Sequence, residues 1–151
     1  MSTTSTRRRE RSQSSERSAY VAAAAKPGTR ILVVDDEPEL LDMLTAYFLT
    51  SKYEVDTATN GFDALAVVAK QRPDVVLLDI HMPGMNGIET LKEIMKIDQS
   101  IAVIMVTGNN QLAITVDAIR NGAFGYVPKP FDFRYLDHLI AAGLSRFGPR
   151  R

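Results

Sequence analysis

The chain has 151 residues, which is enough for one domain with a substantial core. Its 18 Lys/Arg balance its 18 Asp/Glu, but residues 1–30 carry seven basic and two acidic side chains, whereas residues 31–151 carry eleven and sixteen. The absence of cysteine excludes disulfides, thiolate nucleophiles and cysteine-based zinc sites. No apolar run approaches the roughly 18 residues that indicate a membrane span.

Residues 1–28 are interpreted as a disordered, basic tail rich in Ser and Arg. The cluster Arg7-Arg8-Arg9 precedes an alanine-rich stretch, but that stretch is too short for a secretory signal. The composition also resembles an organelle transit peptide, a less favoured alternative. A further alternative is that the arginines bind nucleic acid or anionic lipid through phosphate contacts. Acidic residues are interspersed among them, so a solvated arm is favoured.

From Arg30 onward, short β-branched apolar runs alternate with segments of helical period, a pattern typical of βαβ units. Five strands are predicted, at residues 31–34, 54–58, 75–78, 101–106 and 124–127. The second is the most polar and is predicted to lie at an edge of the sheet. The repeats predict a doubly wound α/β domain with a parallel sheet.

Five helices are predicted between and after these strands, because apolar residues recur there at helical spacing. Their predicted starts are near Pro38, after Asn60-Gly61, near Ile88, near Gln111 and after Phe131-Asp132. Asn86 is a suitable N-cap for the third helix. Buried faces are predicted for the second helix at Ala64, Leu65, Val68 and Ala69, and for the fifth at Leu136, Leu139, Ile140 and Leu144.

Chemically reactive side chains stand at the ends of four predicted strands: Asp35-Asp36, Asp79, Thr107 and Lys129. In a doubly wound sheet, ligands bind beyond the carboxyl ends of the strands. Three carboxylates at one edge repel each other, so a divalent cation with oxygen ligands is expected there. Mg²⁺ fits best, because one or two carboxylates, phosphoryl oxygens and waters complete its octahedron. This equipment suits transfer of a phosphoryl group onto an aspartate.

Taken together, four motifs resemble the receiver domain of two-component response regulators. They are Val33-Val34-Asp35-Asp36-Glu37, Leu78-Asp79-Ile80-His81-Met82-Pro83-Gly84-Met85-Asn86-Gly87, Val106-Thr107-Gly108 and Tyr126-Val127-Pro128-Lys129-Pro130-Phe131. The resemblance covers about residues 29–147 and leaves 148–151 as a short C-terminal tail. It implies a flavodoxin-like fold with five parallel strands in the order 2-1-3-4-5 and five helices.

The resemblance also implies a role for each acid. Asp79 corresponds to the aspartate that accepts the phosphoryl group. Asp36 corresponds to a direct Mg²⁺ ligand, whereas Asp35 more often acts through a water molecule. The backbone carbonyl of His81 is the expected third protein ligand of the metal.

Three further residues correspond to the family's phosphoryl-binding and switch positions. Thr107 supplies the hydroxyl that hydrogen-bonds the phosphoryl group, and Lys129 supplies the cation that pairs with it. Tyr126 corresponds to the switch aromatic. The Lys129–Pro130 bond matches a position that is typically cis in the family.

Structural alternatives exist for several of these residues. Asp35 and Asp36 could cap the first helix, and Tyr126 could be a core aromatic. The side chain of His81 is expected at the rim of the pocket, where it would affect water access. His138, in the fifth helix, is expected at the surface.

The function that the resemblance implies is a signalling switch that catalyses only its own phosphorylation and dephosphorylation. Its phosphodonor would be a histidine kinase or a phosphotransfer protein. An unknown downstream protein would bind the face formed by helix four, strand five and helix five, with the chain a monomer or a phosphorylation-dependent dimer. We expect a cytoplasmic protein without a membrane partner, and nucleic-acid binding by this chain alone is not expected.

Two other functions match part of the sequence. An aspartate-nucleophile phosphatase of the haloacid dehalogenase type would need a second aspartate two residues after the nucleophile, where this chain has His81. A DNA-binding regulator would need an output domain after the fifth helix, but the chain stops about four residues beyond Phe147. Both a single-domain regulator and a receiver from a longer protein fit the sequence.

Overall fold

A computed structural model of the chain describes residues 28–108 and 112–147. The strands are β1 (Arg30–Val34), β2 (Glu54–Ala58), β3 (Val75–Asp79), β4 (Ala102–Thr107) and β5 (Gly125–Pro128). The helices are α1 (Pro38–Leu49), α2 (Gly61–Gln71), α3 (Gly87–Ile97), α4 (Leu112–Arg120) and α5 (Phe133–Phe147). The predicted tails lie outside the described residues, apart from Gly28, as does the predicted start of the fourth helix at Gln111.

The five strands form one parallel sheet in the order β2-β1-β3-β4-β5, which confirms the predicted flavodoxin-like fold. The polar strand β2 lies at an edge, as predicted. Strand order reverses between β1 and β3, so their carboxyl ends lie side by side in the middle of the sheet. This reversal is the place where ligands bind in open α/β sheets.

Apolar side chains of the central strands alternate between two cores, one on each side of the sheet. On one side the strands pack against α2, α3 and α4, and their residues there include Leu32, Val34, Val76 and Leu78. On the other side they pack against α1 and α5, and their residues there include Ile31, Val33, Val75 and Leu77. Burial on both faces explains why these strands are continuous apolar runs.

The predicted helix faces are correct at their centres and wrong at one margin. In α2, Ala64 and Val68 are buried and Leu65 is half-buried, but Ala69 is exposed. Ala69 lies one residue, or about 100° around the helix, beyond Val68, which takes it past the edge of the sheet-facing stripe. In α5, Leu136 and Ile140 are buried, whereas Leu139 and Leu144 are half-buried.

Two asparagine caps fix the starts of the helices that follow β2 and β3. The Asn60 side chain accepts a hydrogen bond from the Asp63 amide at 2.9 Å, and Asn86 accepts one from Glu89 at 2.9 Å, as predicted for Asn86. Within the described residues, no helix has the length and apolar character needed to cross a membrane.

Candidate functional site

The three predicted acids meet at the carboxyl end of the sheet. Asp79 is the last residue of β3, and Asp35 and Asp36 directly follow the neighbouring strand β1. One carboxylate oxygen from each lies within 4.8 Å of the others. Asp35 and Asp79 are 2% and 4% exposed, whereas Asp36 is exposed to solvent. The result is an acidic pocket with two buried carboxylates and one at its mouth.

Asp35 has partners for both of its carboxylate oxygens. Oδ1 accepts a hydrogen bond from the Glu37 amide at 2.9 Å, and Oδ2 accepts one from Lys129 Nζ at 2.9 Å. The N-cap residue of α1 is Glu37, which makes no side-chain capping bond. The capping alternative for Asp35 and Asp36 is therefore wrong, because neither occupies the N-cap position.

Lys129 reaches the pocket from the segment that follows β5. Its Nζ lies 2.9 Å from Asp35 Oδ2, 3.7 Å from Glu37 Oε1 and 3.8 Å from Asp79 Oδ2. Its backbone amide donates to the Thr107 carbonyl at 2.8 Å, and the Lys129–Pro130 bond is cis, as predicted. Sequence reasoning assigned no role to Glu37, although its position directly after the two aspartates could have signalled one.

The charges of the pocket shift the pKa values of two groups. Burial, the charge of Asp35 and a smaller contribution from Asp36 raise the pKa of Asp79 to about 6, against the lowering effects of Lys129 and the His81 amide. Burial alone would lower the pKa of Lys129, but its hydrogen bond to Asp35 and the nearby carboxylates outweigh burial and raise it. The pocket therefore holds more negative charge than one lysine neutralises.

Gly87 fixes the backbone around Asp79. Its amide donates to the Ile80 carbonyl at 2.9 Å. A Cβ at this position would collide with the Asp79 carbonyl oxygen and lie 2.7 Å from the Ile80 Cα. Only glycine allows α3 to begin so close to the end of β3. The one signal in the sequence is a poor helix former at the first helical residue.

The remaining predicted residues lie at different depths. Thr107 is buried at the end of β4, one residue beyond the Val106 that pairs with Asp79. Tyr126 on β5 is 43% exposed, so the core alternative for this residue is wrong. The side chains of His81 and His138 are exposed, as expected.

The donor set of the acidic pocket fits a hard divalent cation. Oxygen ligands on opposite sides of an octahedral Mg²⁺ are about 4.2 Å apart. One carboxylate oxygen from each of the three acids lies within 4.8 Å of the others, which is close to this separation. Two of the three are buried and cannot reduce their mutual repulsion through water. The pocket can therefore bind a metal ion.

Comparison with known proteins agrees with this geometry. The family model of the response regulator receiver domain matches residues 31–141. Sporulation initiation phosphotransferase F of Bacillus subtilis is 42% identical over 103 residues, which are 68% of this chain and 83% of that protein. Chemotaxis protein CheY of Thermotoga maritima is 42% identical over 105 residues, which are 69% of this chain and 88% of that protein.

Longer relatives and solved structures give the same result. Regulatory protein AtoC of Escherichia coli is 43% identical over 116 residues, which are 77% of this chain and 25% of that protein. A CheY-like receiver domain from Methanospirillum hungatei superposes with a TM-score of 0.76 at 32% identity, covering 80% of this chain and 96% of that structure. The matched region thus spans about a quarter of AtoC but most of the other two relatives.

The fold and the pocket define an α/β signalling module. The chain belongs to the response regulator receiver family, whose members work in two-component and phosphorelay signal transduction. The match favours the receiver over the haloacid dehalogenase-type phosphatase, and it is compatible with a receiver from a longer regulator.

Proposed function

We propose that Asp79 accepts a phosphoryl group from a phosphohistidine of a histidine kinase or phosphotransfer protein. The observation that carries this proposal is the convergence of Asp79, two further acids and Lys129 at the end of β3. A carboxylate oxygen of Asp79 attacks phosphorus, the P–N bond to the donor imidazole breaks, and the departing nitrogen takes up a proton. The product is an acyl phosphate that water can hydrolyse.

We further propose Mg²⁺ as the cofactor, held by Asp36, Asp79 and the backbone carbonyl of His81, with Asp35 bound through a water. Ca²⁺ usually takes six to eight oxygen ligands, whereas Mg²⁺ is commonly bound by one or two carboxylates together with phosphate oxygens. When bound, Mg²⁺ neutralises charge on the acids and on the phosphoryl oxygens. Asp36, exposed at the mouth of the pocket, places a carboxylate oxygen within 4.8 Å of those of Asp35 and Asp79.

Lys129 and Thr107 are proposed to bind the phosphoryl oxygens. Lys129 Nζ is already 3.8 Å from Asp79 Oδ2, so it can pair with the transferred group while keeping its contact with Asp35. Thr107 ends the strand next to β3, which suits a hydroxyl that donates a hydrogen bond after transfer. Tyr126, which is 43% exposed, is proposed to turn inward as Thr107 moves.

The proposed output surface is the face formed by α4, β5 and α5, where an unknown downstream protein binds. Leu112 and Val116, one helical turn apart on α4, are exposed, and so is Tyr126 of β5. Exposed apolar side chains grouped on one face favour a protein partner over nucleic acid. We propose that the chain acts in the cytoplasm as a monomer or as a phosphorylation-dependent dimer.

The proposed domain organisation is a receiver at residues 29–147, preceded by a basic tail at 1–28 and followed by a short segment at 148–151. The described elements run from Arg30 to Phe147, which supports these limits. An attached output domain is compatible with the longer relatives. One of them is a DNA-binding response regulator MtrA, in which the matched region makes up 51% of the protein.

Acetyl phosphate tests the identity of the acceptor. Incubated with Mg²⁺, the wild type should gain the mass of one phosphate and Asp79→Asn should gain none. Asp74→Asn is a matched control, because Asp74 is a buried aspartate next to the opposite end of the same strand. Labelling of Asp79→Asn at another residue, to the wild-type extent, would overturn the assignment.

Calorimetric titration with Mg²⁺ tests the metal ligands. Asp36→Ala should abolish binding, because few protein ligands remain in the pocket. Asp35→Ala should weaken binding less. Glu39→Ala, which removes an exposed acid from the first turn of α1, serves as the control. Equal titration curves for the wild type and Asp36→Ala would contradict the proposed coordination.

A further inference from the structure

The buried carboxylate of Asp137 lies outside the acidic pocket and takes no part in the proposed chemistry. Asp137 of α5 is 5% exposed, and its Oδ2 accepts a hydrogen bond from the hydroxyl of Tyr47, in α1, at 2.6 Å. A buried carboxylate costs free energy, so its place between two helices calls for a functional explanation.

Tyr47 is held by α5 at two points. Its ring packs on Phe133 with centroids 4.3 Å apart and planes inclined by 30°, and its hydroxyl binds Asp137. Phe133 and Asp137 are four residues apart and therefore share one face of the helix. Together the two contacts fix the distance of the first turn of α5 from α1 and also its rotation about the helix axis.

The first turn of α5 is connected to Lys129 by a short segment. Residues 130–132 separate Lys129 from Phe133, and the ring of Phe131 stacks on Phe133 with centroids 6.3 Å apart. At the other end of this segment, the Lys129 amide donates to the Thr107 carbonyl at 2.8 Å. The backbone that carries Lys129 is thus held between β4 and the contact of α1 with α5.

We propose that Tyr47 and Asp137 are positioning residues for phosphoryl transfer to Asp79, an inference that rests on the proposed function. They fix the first turn of α5 and so keep the Lys129 ammonium over the pocket, 3.8 Å from Asp79 Oδ2. Neither residue touches the reacting atoms. Phosphoryl transfer depends on positioned charge, so a small displacement of this ammonium slows the reaction.

Removal of one hydroxyl tests this inference. Tyr47→Phe keeps the ring and should lower the rate of Asp79 labelling by acetyl phosphate at saturating Mg²⁺ roughly fivefold, the factor that corresponds to one net hydrogen bond. Tyr135→Phe is the matched control, because Tyr135 lies on the same helix with its side chain 43% exposed. Mg²⁺ affinity should be unchanged in both variants. Equal labelling rates for the two would overturn the inference.

Substitutions of Asp137 separate the hydrogen bond from the charge and are a second route if Tyr47→Phe folds poorly. Asp137→Asn should keep most of the wild-type rate, because the amide oxygen still accepts from the Tyr47 hydroxyl. Asp137→Ala should reproduce the loss seen in Tyr47→Phe. A rate for Asp137→Asn as low as that of Asp137→Ala would overturn the hydrogen bond as the cause.

A double-mutant cycle shows whether the effect passes through Lys129. In a Lys129→Ala background, Tyr47→Phe should cost no further rate, since the positioned group is already absent. A further fivefold loss there would mean that Tyr47 acts by another route and would overturn the inference. If Asp79→Asn is labelled at the wild-type rate, the proposed function is overturned as well. If Asp79 is labelled normally and Tyr47→Phe leaves the labelling rate unchanged, this inference alone is overturned.

Discussion

The helices α1 and α4 lie on opposite sides of the sheet and are attached to it very differently. In α1, Leu41, Leu44 and Phe48 are buried, and each such side chain contributes about 1.5–3 kcal/mol. In α4, Ala118 is the one buried residue among those described, while Leu112 and Ile119 are 76% and 47% exposed. Displacement of α4 therefore costs little free energy, whereas the side of the domain that leads into the acidic pocket is firmly packed. This asymmetry fits the proposed function, in which the acidic pocket keeps its geometry while the surface around α4 changes.

The largest expected effect tests the asymmetry directly. Phe48→Ala should lower the free energy of unfolding by about 3–5 kcal/mol, because it leaves a cavity in the core under α1. Val116→Ala, on the exposed face of α4, should change it by at most about 0.5 kcal/mol. Urea denaturation monitored by circular dichroism measures both. Similar losses for the two variants would show that α4 is as firmly attached as α1.

A second prediction concerns the repulsion among the carboxylates of the acidic pocket, which lowers the stability of the folded state. The pKa of Asp79 is raised to about 6 from 3.8, so the folded state favours the neutral carboxyl. The stability that Asp79 contributes is present below pH 3.8 and is lost as the pH rises through about 6. In EDTA, Asp79→Asn should exceed the wild type in unfolding free energy by on the order of 2 kcal/mol at pH 7.5 and by little at pH 4.

Thermal denaturation across this pH range measures the difference. Addition of Mg²⁺ should reduce the difference in unfolding free energy between Asp79→Asn and the wild type at pH 7.5, because the ion stabilises the wild type by binding its folded state. A gain for Asp79→Asn that stays constant from pH 4 to pH 7.5 would show that repulsion in the pocket is not its origin.

The smallest expected effect follows the signal from the pocket to α4. Beryllofluoride should shift the amide resonances of α4 (Leu112–Arg120) in the wild type. It should also shift those of β5 residues 125–127; Pro128 has no amide proton. Thr107→Ala should still be phosphorylated but should lose these shifts, because no hydroxyl draws β4 toward the phosphoryl group. Thr57→Ala, on the edge strand β2, is the control. Full shifts in Thr107→Ala would exclude it as the relay.

Most of the fold could be predicted because hydrophobic patterning records it directly. The predicted strands 75–78, 101–106 and 124–127 differ by one residue from the observed 75–79, 102–107 and 125–128. Continuous apolar runs identify strands buried on both faces. The margins of the buried helix faces were less predictable, as Ala69 shows. The spacing of apolar residues indicates a helix, but it does not show how wide a stripe of that helix the sheet buries.

The site was predictable as a set of residues but not as a set of contacts. Strand ends indicated that Asp35, Asp79 and Lys129 converge, and the structure brings them together. The preference of Lys129 for Asp35, at 2.9 Å against 3.8 Å for Asp79, depends on side-chain geometry that no spacing records. The bond between Tyr47 and Asp137 joins residues 90 positions apart, so local pattern carries no sign of it.

The place of β1 in the strand order has a consequence for synthesis on the ribosome. Ile31 is made early, but its two neighbours in the sheet, Val55 and Val75, follow 24 and 44 residues later. At about 5–20 residues per second, the second neighbour arrives roughly two to nine seconds after Ile31. During that interval the apolar stretch Ile31–Val34 exposes an unpaired strand edge. Among the three inner strands, β1 therefore waits longest for its second neighbour during synthesis.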